Sequence, residues 1–293
     1  MTESKMYSQR VKNIPVMRYC GFNCVYCAFQ KFQKISKCLD CRENNIHSHL
    51  EVLQRTPPKT KEGEFITVGL SGDVSFMHIS DFIQVVGYCR KWSDRTFLIQ
   101  SKDPSYFVAF EENGFTFPDN VILGTTIETN RIYLSYPDCT INRYFEISKA
   151  PLTYRRWLAM LELTCRKAVT IEPILDFGLD VMVKWIKDIA PEFVYIGFCN
   201  DGKQGKRLKL PEPSLDKTLG LINALEIAGI DVRRKTLRPA WYEIESFEPC
   251  LQCGTLRPRQ ETDADSMFCT QKCKREYEEY EKTSLFCPGC EEE

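Results

Sequence analysis

The segment Cys20-Gly-Phe-Asn-Cys24-Val-Tyr-Cys27 constrains this chain more than any other feature. It places three thiols within eight residues, and thiols that close together can converge on one metal centre. A [4Fe-4S] cluster normally takes four cysteine ligands, so a set of three would leave one iron open. A partial zinc knuckle and three buried thiols are the alternatives, although most zinc sites add a fourth Cys or His. The segment therefore favours a [4Fe-4S] cluster with one open coordination position.

The C-x3-C-x2-C spacing, with Tyr26 just before the third cysteine, resembles the signature of the radical S-adenosylmethionine (SAM) superfamily. The resemblance implies that Cys20, Cys24 and Cys27 hold the cluster and that SAM chelates its open iron. It also implies that one electron, from a donor such as flavodoxin or ferredoxin, cleaves SAM to a 5′-deoxyadenosyl radical that abstracts hydrogen from a substrate. The segments VILGTTIETNR, TIEPIL and YIGFCND further resemble a phage- and prokaryote-associated radical SAM group distantly similar to spore photoproduct lyase.

The composition indicates the cellular compartment of the protein and limits the classes of partner it is expected to bind. The first 13 residues are polar and lack the apolar core of a signal peptide, which predicts a cytoplasmic protein whose fifteen cysteines stay reduced. No apolar run approaches the about 20 residues of a membrane span, so no membrane partner is expected. The formal net charge of −1 excludes a global basic field, although charge can still cluster locally. Only three histidines occur, so any metal site is expected to consist mainly of sulfur.

Apolar strands alternate with amphipathic helices along residues 1–240, which predicts an α/β domain of parallel βαβ units. The alternation alone fits either a barrel or a doubly wound sheet. The resemblance implies a partial (β/α)6 TIM-like barrel of the radical SAM type. Its first strand, predicted at 13–17, delivers the chain directly into the cysteine segment, since barrel sites lie at the carboxyl ends of strands. A helix is predicted from about Asn45, because Ile46, Leu50 and Leu53 are spaced i, i+4, i+7.

The resemblance also implies which residues at the strand ends contact SAM. The turn Ser71-Gly72-Asp73 takes the place of a Gly-Gly-Glu-like turn that contacts the SAM amino group, with Asp for Glu. Lys102 would pair with the SAM carboxylate, and Glu128 would accept from the ribose hydroxyls or the amino group. An ordinary turn or a surface ion pair is the alternative for each of these positions. The predicted cofactor-binding residues beyond the three cysteines are Tyr26, Gly72, Asp73, Ser101, Lys102, Glu128, Asn130 and Glu172.

Cys199 directly follows an apolar strand, at the predicted mouth of the barrel. A thiol at that place could return a hydrogen atom to a product radical, as one does in photoproduct lyase. Cys199 is therefore the predicted catalytic residue.

The residues 241–293 are predicted to form a small Cys-rich zinc-binding module. Cys250 and Cys253 form one knuckle, and Cys269 and Cys273 form a second after fifteen residues, a spacing typical of a tetrahedral zinc site. The same spacing resembles the small zinc ribbons of a gyrase-inhibitor family. An auxiliary iron–sulfur cluster is the alternative.

Two further C-x2-C knuckles, Cys38 with Cys41 and Cys287 with Cys290, have no evident local partner in the sequence. We predict that they pair into a second four-cysteine zinc site. A transient redox pair is the main alternative.

These features predict a radical SAM enzyme with a [4Fe-4S] cluster, SAM and zinc. A nucleic-acid substrate, in modification or repair, is favoured by the likeness to photoproduct lyase, by the zinc ribbon and by two basic clusters. A peptide or small-molecule substrate is one alternative, and a non-catalytic metal-stabilised module that binds nucleic acid or protein is another. The basic clusters are Lys203, Lys206, Arg207, Lys209 and Arg233, Arg234, Lys235, Arg238.

Overall fold

The computed structural model describes residues 7–27, 36–132, 143–199 and 208–243, together with the backbone of two short strands at 247–249 and 256–258. The chain divides into two compact units, Met1–Arg238 and Pro239–Glu293. None of the helices in the described ranges has the length and apolar composition needed to span a membrane.

The first unit contains one sheet of seven parallel strands, which follow one another in chain order. The strands are β1 (Arg10–Ile14), β2 (Phe65–Val68), β3 (Phe97–Gln100), β4 (Val121–Thr126), β5 (Arg166–Ile171), β6 (Phe193–Ile196) and β7 (Val232–Arg234). Parallel strands need crossover connections, and helices provide most of them. The helices are α1 (Leu39–Glu43), α2 (Ile79–Lys91), α3 (Ser105–Glu112), α4 (Tyr144–Ile147), α5 (Thr153–Glu162), α6 (Leu179–Ile189) and α7 (Leu215–Ile227), with 3₁₀ turns at Leu50–Gln54 and Val74–Phe76.

The sheet curls into a partial barrel. Phe65 on β2 stacks on Phe193 on β6 with ring centroids 5.6 Å apart, and the ring of Tyr7 lies 4.7 Å from that of Tyr195. Strands β2 and β6 are four places apart in the sheet, so these contacts form only if the sheet curves around a shared interior. Within the described residues β1 and β7 form the two edges and do not pair with each other. The predicted α/β partial barrel is confirmed.

Burial explains why the strands are apolar on both faces. Every residue of β2, β4 and β6 is buried, because one face lines the barrel interior and the other is covered by helices. The helices bury one stripe each. On α6 the buried stripe includes Trp185, which stacks on Trp157 of α5 with centroids 5.0 Å apart.

Two local predictions are wrong. The first strand lies at Arg10–Ile14 rather than 13–17, and Val16 and Met17 are apolar because they are fully buried in the following loop. The helix predicted from Asn45 is absent over residues 45–49. That segment is extended, since Ser48 forms a bridge with Met17 and the N–H of His49 donates to the carbonyl of Val16 at 2.8 Å. These long-range backbone bonds override the helical spacing of the side chains.

In the second unit, β8 (Phe247–Pro249) pairs in antiparallel fashion with β9 (Leu256–Pro258). The two strands flank residues 250–255, which include the first predicted zinc knuckle. All the predicted zinc ligands of this unit lie outside the described residues, so both predictions that use them stay predictions. They are Cys250, Cys253, Cys269, Cys273, Cys287 and Cys290.

Candidate functional site

The three clustered cysteines follow β1, at the carboxyl end of the sheet, in a loop that is largely sheltered. Cys24 is buried, and Cys20 and Cys27 are half-buried against an apolar cluster that includes Phe22 and Ala150. Burial raises the pKa of the Cys20 thiol to about 12, and the charge of Asp73 adds to that shift. A thiolate in this loop therefore needs a positive partner, which a bound metal centre would provide.

The spacing of the three sulfur atoms bears on what that centre can be. The cysteines of this loop do not belong to any group of three or more described Cys, His or acidic side chains whose ligand atoms all lie within 4.8 Å of one another. One tetrahedral ion requires such crowding. An iron–sulfur cluster does not, because each cysteine binds a different iron. The three thiols of this loop could therefore hold an iron–sulfur cluster.

The turn after β2 packs directly on the approach to the cysteine loop. The N–H of Asp73 donates to the carbonyl of Tyr19 at 3.0 Å. A Cβ atom added to Gly72 would lie 2.5 Å from that carbonyl oxygen and 2.8 Å from the carbonyl carbon of Arg18. Only a residue without a side chain allows two backbone segments to approach this closely.

We expect Gly72→Ala to displace the cysteine loop and to lower both stability and iron content. The clash involves backbone atoms that cannot rotate away, so a cost of about 1–3 kcal/mol in unfolding free energy is expected. Gly87→Ala is the matched control, since Gly87 lies within α2 and has open space around its Cα. That control should be neutral or stabilise by about 0.5–1 kcal/mol. Urea denaturation and iron analysis measure both effects, and equal behaviour of the two variants would contradict this role of Gly72.

Asp73 joins the turn after β2 to the loop after β3. One carboxylate oxygen accepts from the hydroxyl of Ser101 at 2.6 Å and from Ser75, and the other accepts from the backbone N–H of Lys102 at 2.8 Å. Burial raises the pKa of this carboxyl, and the hydrogen bonds oppose that shift. Asp73 therefore supports both loops. The predicted contact with the SAM amino group would require Asp73 to release one of these donors.

Glu128, which follows β4, is the centre of a buried charged network. Its side chain is fully buried, and one oxygen accepts from Tyr26 at 2.6 Å and pairs with Lys102 at 2.5 Å. The other oxygen accepts from Tyr144 at 2.9 Å and pairs with Arg156 at 3.0 Å. Burial alone would raise the pKa of Glu128, but the charges of Arg156 and Lys102 outweigh it and lower that pKa to about 2. Glu128 is therefore an anion held by two cations.

The network extends to the cysteine loop through Lys102 and Tyr26. The Nζ atom of Lys102 lies 3.6 Å from the sulfur of Cys24 and 4.6 Å from the centre of the Tyr26 ring. Burial opposes the charge on Lys102, but Cys24 and Glu128 beside it raise its pKa. Two cations thus face one carboxylate, and the surplus positive charge lies next to Cys24. The predicted pairing of Lys102 with a SAM carboxylate competes with the ion pair to Glu128.

Arg156 and Tyr144 were not predicted from the sequence. Arg156 is fully buried in α5, donates to the backbone carbonyls of Thr126 and Pro151, and reaches the hydroxyl of Tyr144 at 2.6 Å. An arginine in a helix is normally expected at the surface, because arginine is seldom fully buried unless it is paired. The sequence of α5 therefore does not predict that Arg156 is buried.

Two of the predicted SAM contacts instead tie loops at the carboxyl end of the sheet together. The side-chain amide of Asn130 donates to the carbonyl of Gly178 at 2.8 Å and accepts from its N–H at 2.9 Å. Glu172, which precedes a cis peptide bond to Pro173, is buried and forms an ion pair with Lys235. Both residues follow strands, as predicted, but their polar atoms are engaged by the protein.

Cys199 lies beside the cysteine loop. It is 6% exposed and belongs to one buried cluster with Tyr144 and Leu175, against which Val25 and Tyr26 pack. The structure therefore brings the predicted hydrogen-atom donor next to the loop. Its catalytic role stays a prediction.

The premise that the Cys38 and Cys41 knuckle lacks a local partner is wrong. The ligand atoms of Cys38, Cys41, His47 and His49 all lie within 4.8 Å of one another. Sequence reasoning missed the histidines because it placed them on a helix. The alternating His-Ser-His pattern, typical of an extended segment, is the signal that could have found them.

The second basic cluster does not form a free positive surface. Arg233 pairs with Asp231, Arg234 with Glu226, Lys235 with Glu172 and Arg238 with Glu212. Each positive charge therefore has an acidic partner, which removes this support for a nucleic-acid substrate. Of the first basic cluster, only Lys209 lies within the described residues.

Comparison with solved structures finds chains of similar architecture. Streptococcus suis SuiB bound to its precursor peptide SuiA aligns over 90% of this chain with 9% identity and a TM-score of 0.42, and this chain spans 55% of the SuiB chain. Native anSMEcpe with bound AdoMet aligns over 90% of this chain and 81% of its own, with 12% identity and a TM-score of 0.41. Spore photoproduct lyase complexed with a dinucleoside spore photoproduct aligns over 94% of this chain and 74% of its own, with 10% identity and a TM-score of 0.44. No family model and no curated protein matches the sequence.

Proposed function

We propose that this chain is a radical SAM enzyme in which Cys20, Cys24 and Cys27 hold a [4Fe-4S] cluster. The observation that carries the proposal is the placement of a C-x3-C-x2-C loop at the carboxyl end of the first strand of a parallel partial barrel, next to the ammonium group of Lys102. The carboxyl ends of barrel strands are where such folds place their active sites.

When bound, the cluster and SAM supply a 5′-deoxyadenosyl radical that can abstract hydrogen from an unactivated carbon. The residues of the chain provide the environment. Phe22, Phe76 and Ala150 form the apolar surroundings of the cysteines and limit the access of water. Lys102 places its ammonium group 3.6 Å from the sulfur of Cys24. Cys199 is proposed to return a hydrogen atom to a product radical.

The experiment is anaerobic reconstitution of the full chain with iron and sulfide, followed by reduction with dithionite in the presence of SAM. We expect a [4Fe-4S] signal in electron paramagnetic resonance and the formation of 5′-deoxyadenosine. Zinc at positions 20, 24 and 27, or intact SAM with a fully reduced cluster, would refute the proposal.

For the substrate we propose nucleic acid, with a peptide or small molecule as the alternative. The proposal of a nucleic-acid substrate is still supported by the sequence resemblance to photoproduct lyase and by the predicted zinc ribbon. The reduced enzyme would be incubated with DNA, RNA, protein or metabolite fractions from cells grown in deuterated medium. The fraction that transfers deuterium to 5′-deoxyadenosine contains the substrate, and transfer from the protein or metabolite fraction alone would overturn the nucleic-acid proposal.

A further inference from the structure

The segment 38–49 brings two thiols and two imidazoles to one point. The Nε2 atom of His47 lies 3.3 Å from the sulfur of Cys38 and 3.4 Å from that of Cys41. The Nε2 atom of His49 lies 3.2 Å from the sulfur of Cys41 and 2.9 Å from the Nε2 atom of His47. With Zn–S bonds of about 2.3 Å and Zn–N bonds of about 2.0–2.1 Å, tetrahedral ligand atoms are about 3.4–3.6 Å apart for these pairs. The three sulfur–nitrogen separations are within about 0.4 Å of those values, and the nitrogen–nitrogen separation is about 0.5 Å shorter.

The local backbone geometry directs the side chains of the two cysteines and two histidines toward one common point. Cys38 and Cys41 are three residues apart, and the short helix α1 begins just after Cys38, so both sulfurs lie on one side of its first turn. Asn44 ends α1 in the left-handed conformation, with φ 59°, and turns the chain back. His47 and His49 are two residues apart on an extended segment and therefore point to the same side.

Hydrogen bonds to the outer nitrogens fix how the two imidazoles face each other. Nδ1 of His47 lies 2.9 Å from the backbone carbonyl of Asn45, which only accepts, so this nitrogen is the donor. Nδ1 of His49 lies 3.1 Å from the carboxylate of Glu51 and donates to it. In the neutral rings both Nε2 atoms then carry lone pairs, and these meet at 2.9 Å. Two lone pairs cannot hydrogen-bond to each other, whereas a cation between them satisfies both. Outer-nitrogen bonds to carbonyl and carboxylate groups are also those that metal-bound histidines usually make.

We propose that Cys38, Cys41, His47 and His49 bind one structural Zn²⁺ ion. Two sulfurs and two nitrogens in tetrahedral arrangement suit zinc, and no position is left open for a substrate. This site replaces the predicted pairing of Cys38 and Cys41 with the C-terminal knuckle, and it does not depend on the proposed radical chemistry.

The site also anchors the entry to the cysteine loop. The same segment that supplies His47 and His49 hydrogen-bonds to Val16 and bridges to Met17, three residues before Cys20. The ion therefore clamps the backbone on which the loop is built, and its loss should loosen that loop.

The test uses the full chain carrying Cys20→Ala, Cys24→Ala and Cys27→Ala, so that no iron chromophore interferes and the result is independent of the proposed function. In this background we expect His47→Ala with His49→Ala to remove one zinc per chain by mass spectrometry of the metal content. His78→Asn is the control, since His78 is exposed and outside the site, and it should leave the zinc content unchanged. An unchanged zinc content in the double variant would overturn the proposal, as would a disulfide between Cys38 and Cys41 in the isolated protein.

A second variant covers the case in which the double variant fails to fold. His47→Cys keeps four ligands, so the chain should stay folded and keep its zinc. After replacement of zinc by Co²⁺, the tetrahedral d–d bands should shift, and the thiolate-to-metal charge-transfer band should gain intensity, as the site changes from two sulfurs to three. Identical cobalt spectra of this variant and its parent would exclude His47 as a ligand.

Discussion

Replacing Cys24 by alanine is expected to abolish SAM cleavage and to remove the iron–sulfur absorption of the reconstituted protein. Cys24 is the most deeply buried of the three loop cysteines, and its sulfur lies 3.6 Å from the Nζ atom of Lys102. In the proposed cluster, a second iron would lose its protein ligand, and two cysteines would not hold the cluster in the loop. Formation of 5′-deoxyadenosine should therefore fall to background. Iron content, visible absorption and chromatography of the nucleoside products measure the loss.

Cys165→Ala is the matched control for this prediction. Cys165 is half-buried and lies just before β5, away from the loop. The control should keep the cluster and the full rate of SAM cleavage. Equal loss in both variants would mean that general damage to the protein explains the result, and retention of the cluster in Cys24→Ala would refute the ligand assignment.

Glu128→Gln is expected to cause the largest loss of stability of any single change in the charged network. The substitution preserves shape but leaves the fully buried Arg156 and the largely buried Lys102 without their anion. Breaking a buried pair in this way costs about 3–5 kcal/mol. Urea denaturation at neutral pH measures the difference. Glu192→Gln is the control, because its pair with Arg166 is partly exposed and should contribute less than about 1 kcal/mol.

The same network predicts a specific pH dependence. The pKa of Glu128 is lowered from 4.5 to about 2 in the folded chain, so the folded state favours the ionised form. The stability that this provides is fully present above pH 4.5 and is lost as the pH falls from 4.5 toward 2. Glu128→Gln has no carboxyl to protonate and should lack this part of the acid loss. Parallel pH profiles of the variant and the wild type would contradict the assignment.

The sequence predicts the architecture well because the same pattern of an apolar strand followed by an amphipathic helix recurs along the chain. Each buried strand is a short apolar run followed by a helix with one apolar stripe, and many such units make an error at one of them unimportant. Local errors arise where contacts distant in sequence decide the backbone. The segment 45–49 carries helical spacing, but its bonds to Val16 and Met17 make it extended.

Side-chain roles are harder to predict than positions. Five of the predicted site residues follow strands, as the pattern indicates, and lie close together in the structure. They are Gly72, Asp73, Ser101, Lys102 and Glu128. The pattern does not show that these residues bind one another, because hydrogen-bond partners come from other strands. The pattern also does not predict the role of Arg156. Its charge lowers the pKa of Glu128, but it is fully buried, whereas arginine is normally found at the surface.

The surplus cation beside Cys24 has a consequence for electron transfer. A positive charge in a largely buried site is screened less than one in water, so it acts over a few ångströms. It favours whichever redox state of a centre bound at Cys24 carries more negative charge, so it shifts the redox poise toward easier reduction. Lys102, which supplies this charge, lies in the loop after β3, and Cys24 lies in the loop after β1. The placement of these two loops by the barrel would thus influence how readily a centre bound at Cys24 accepts an electron.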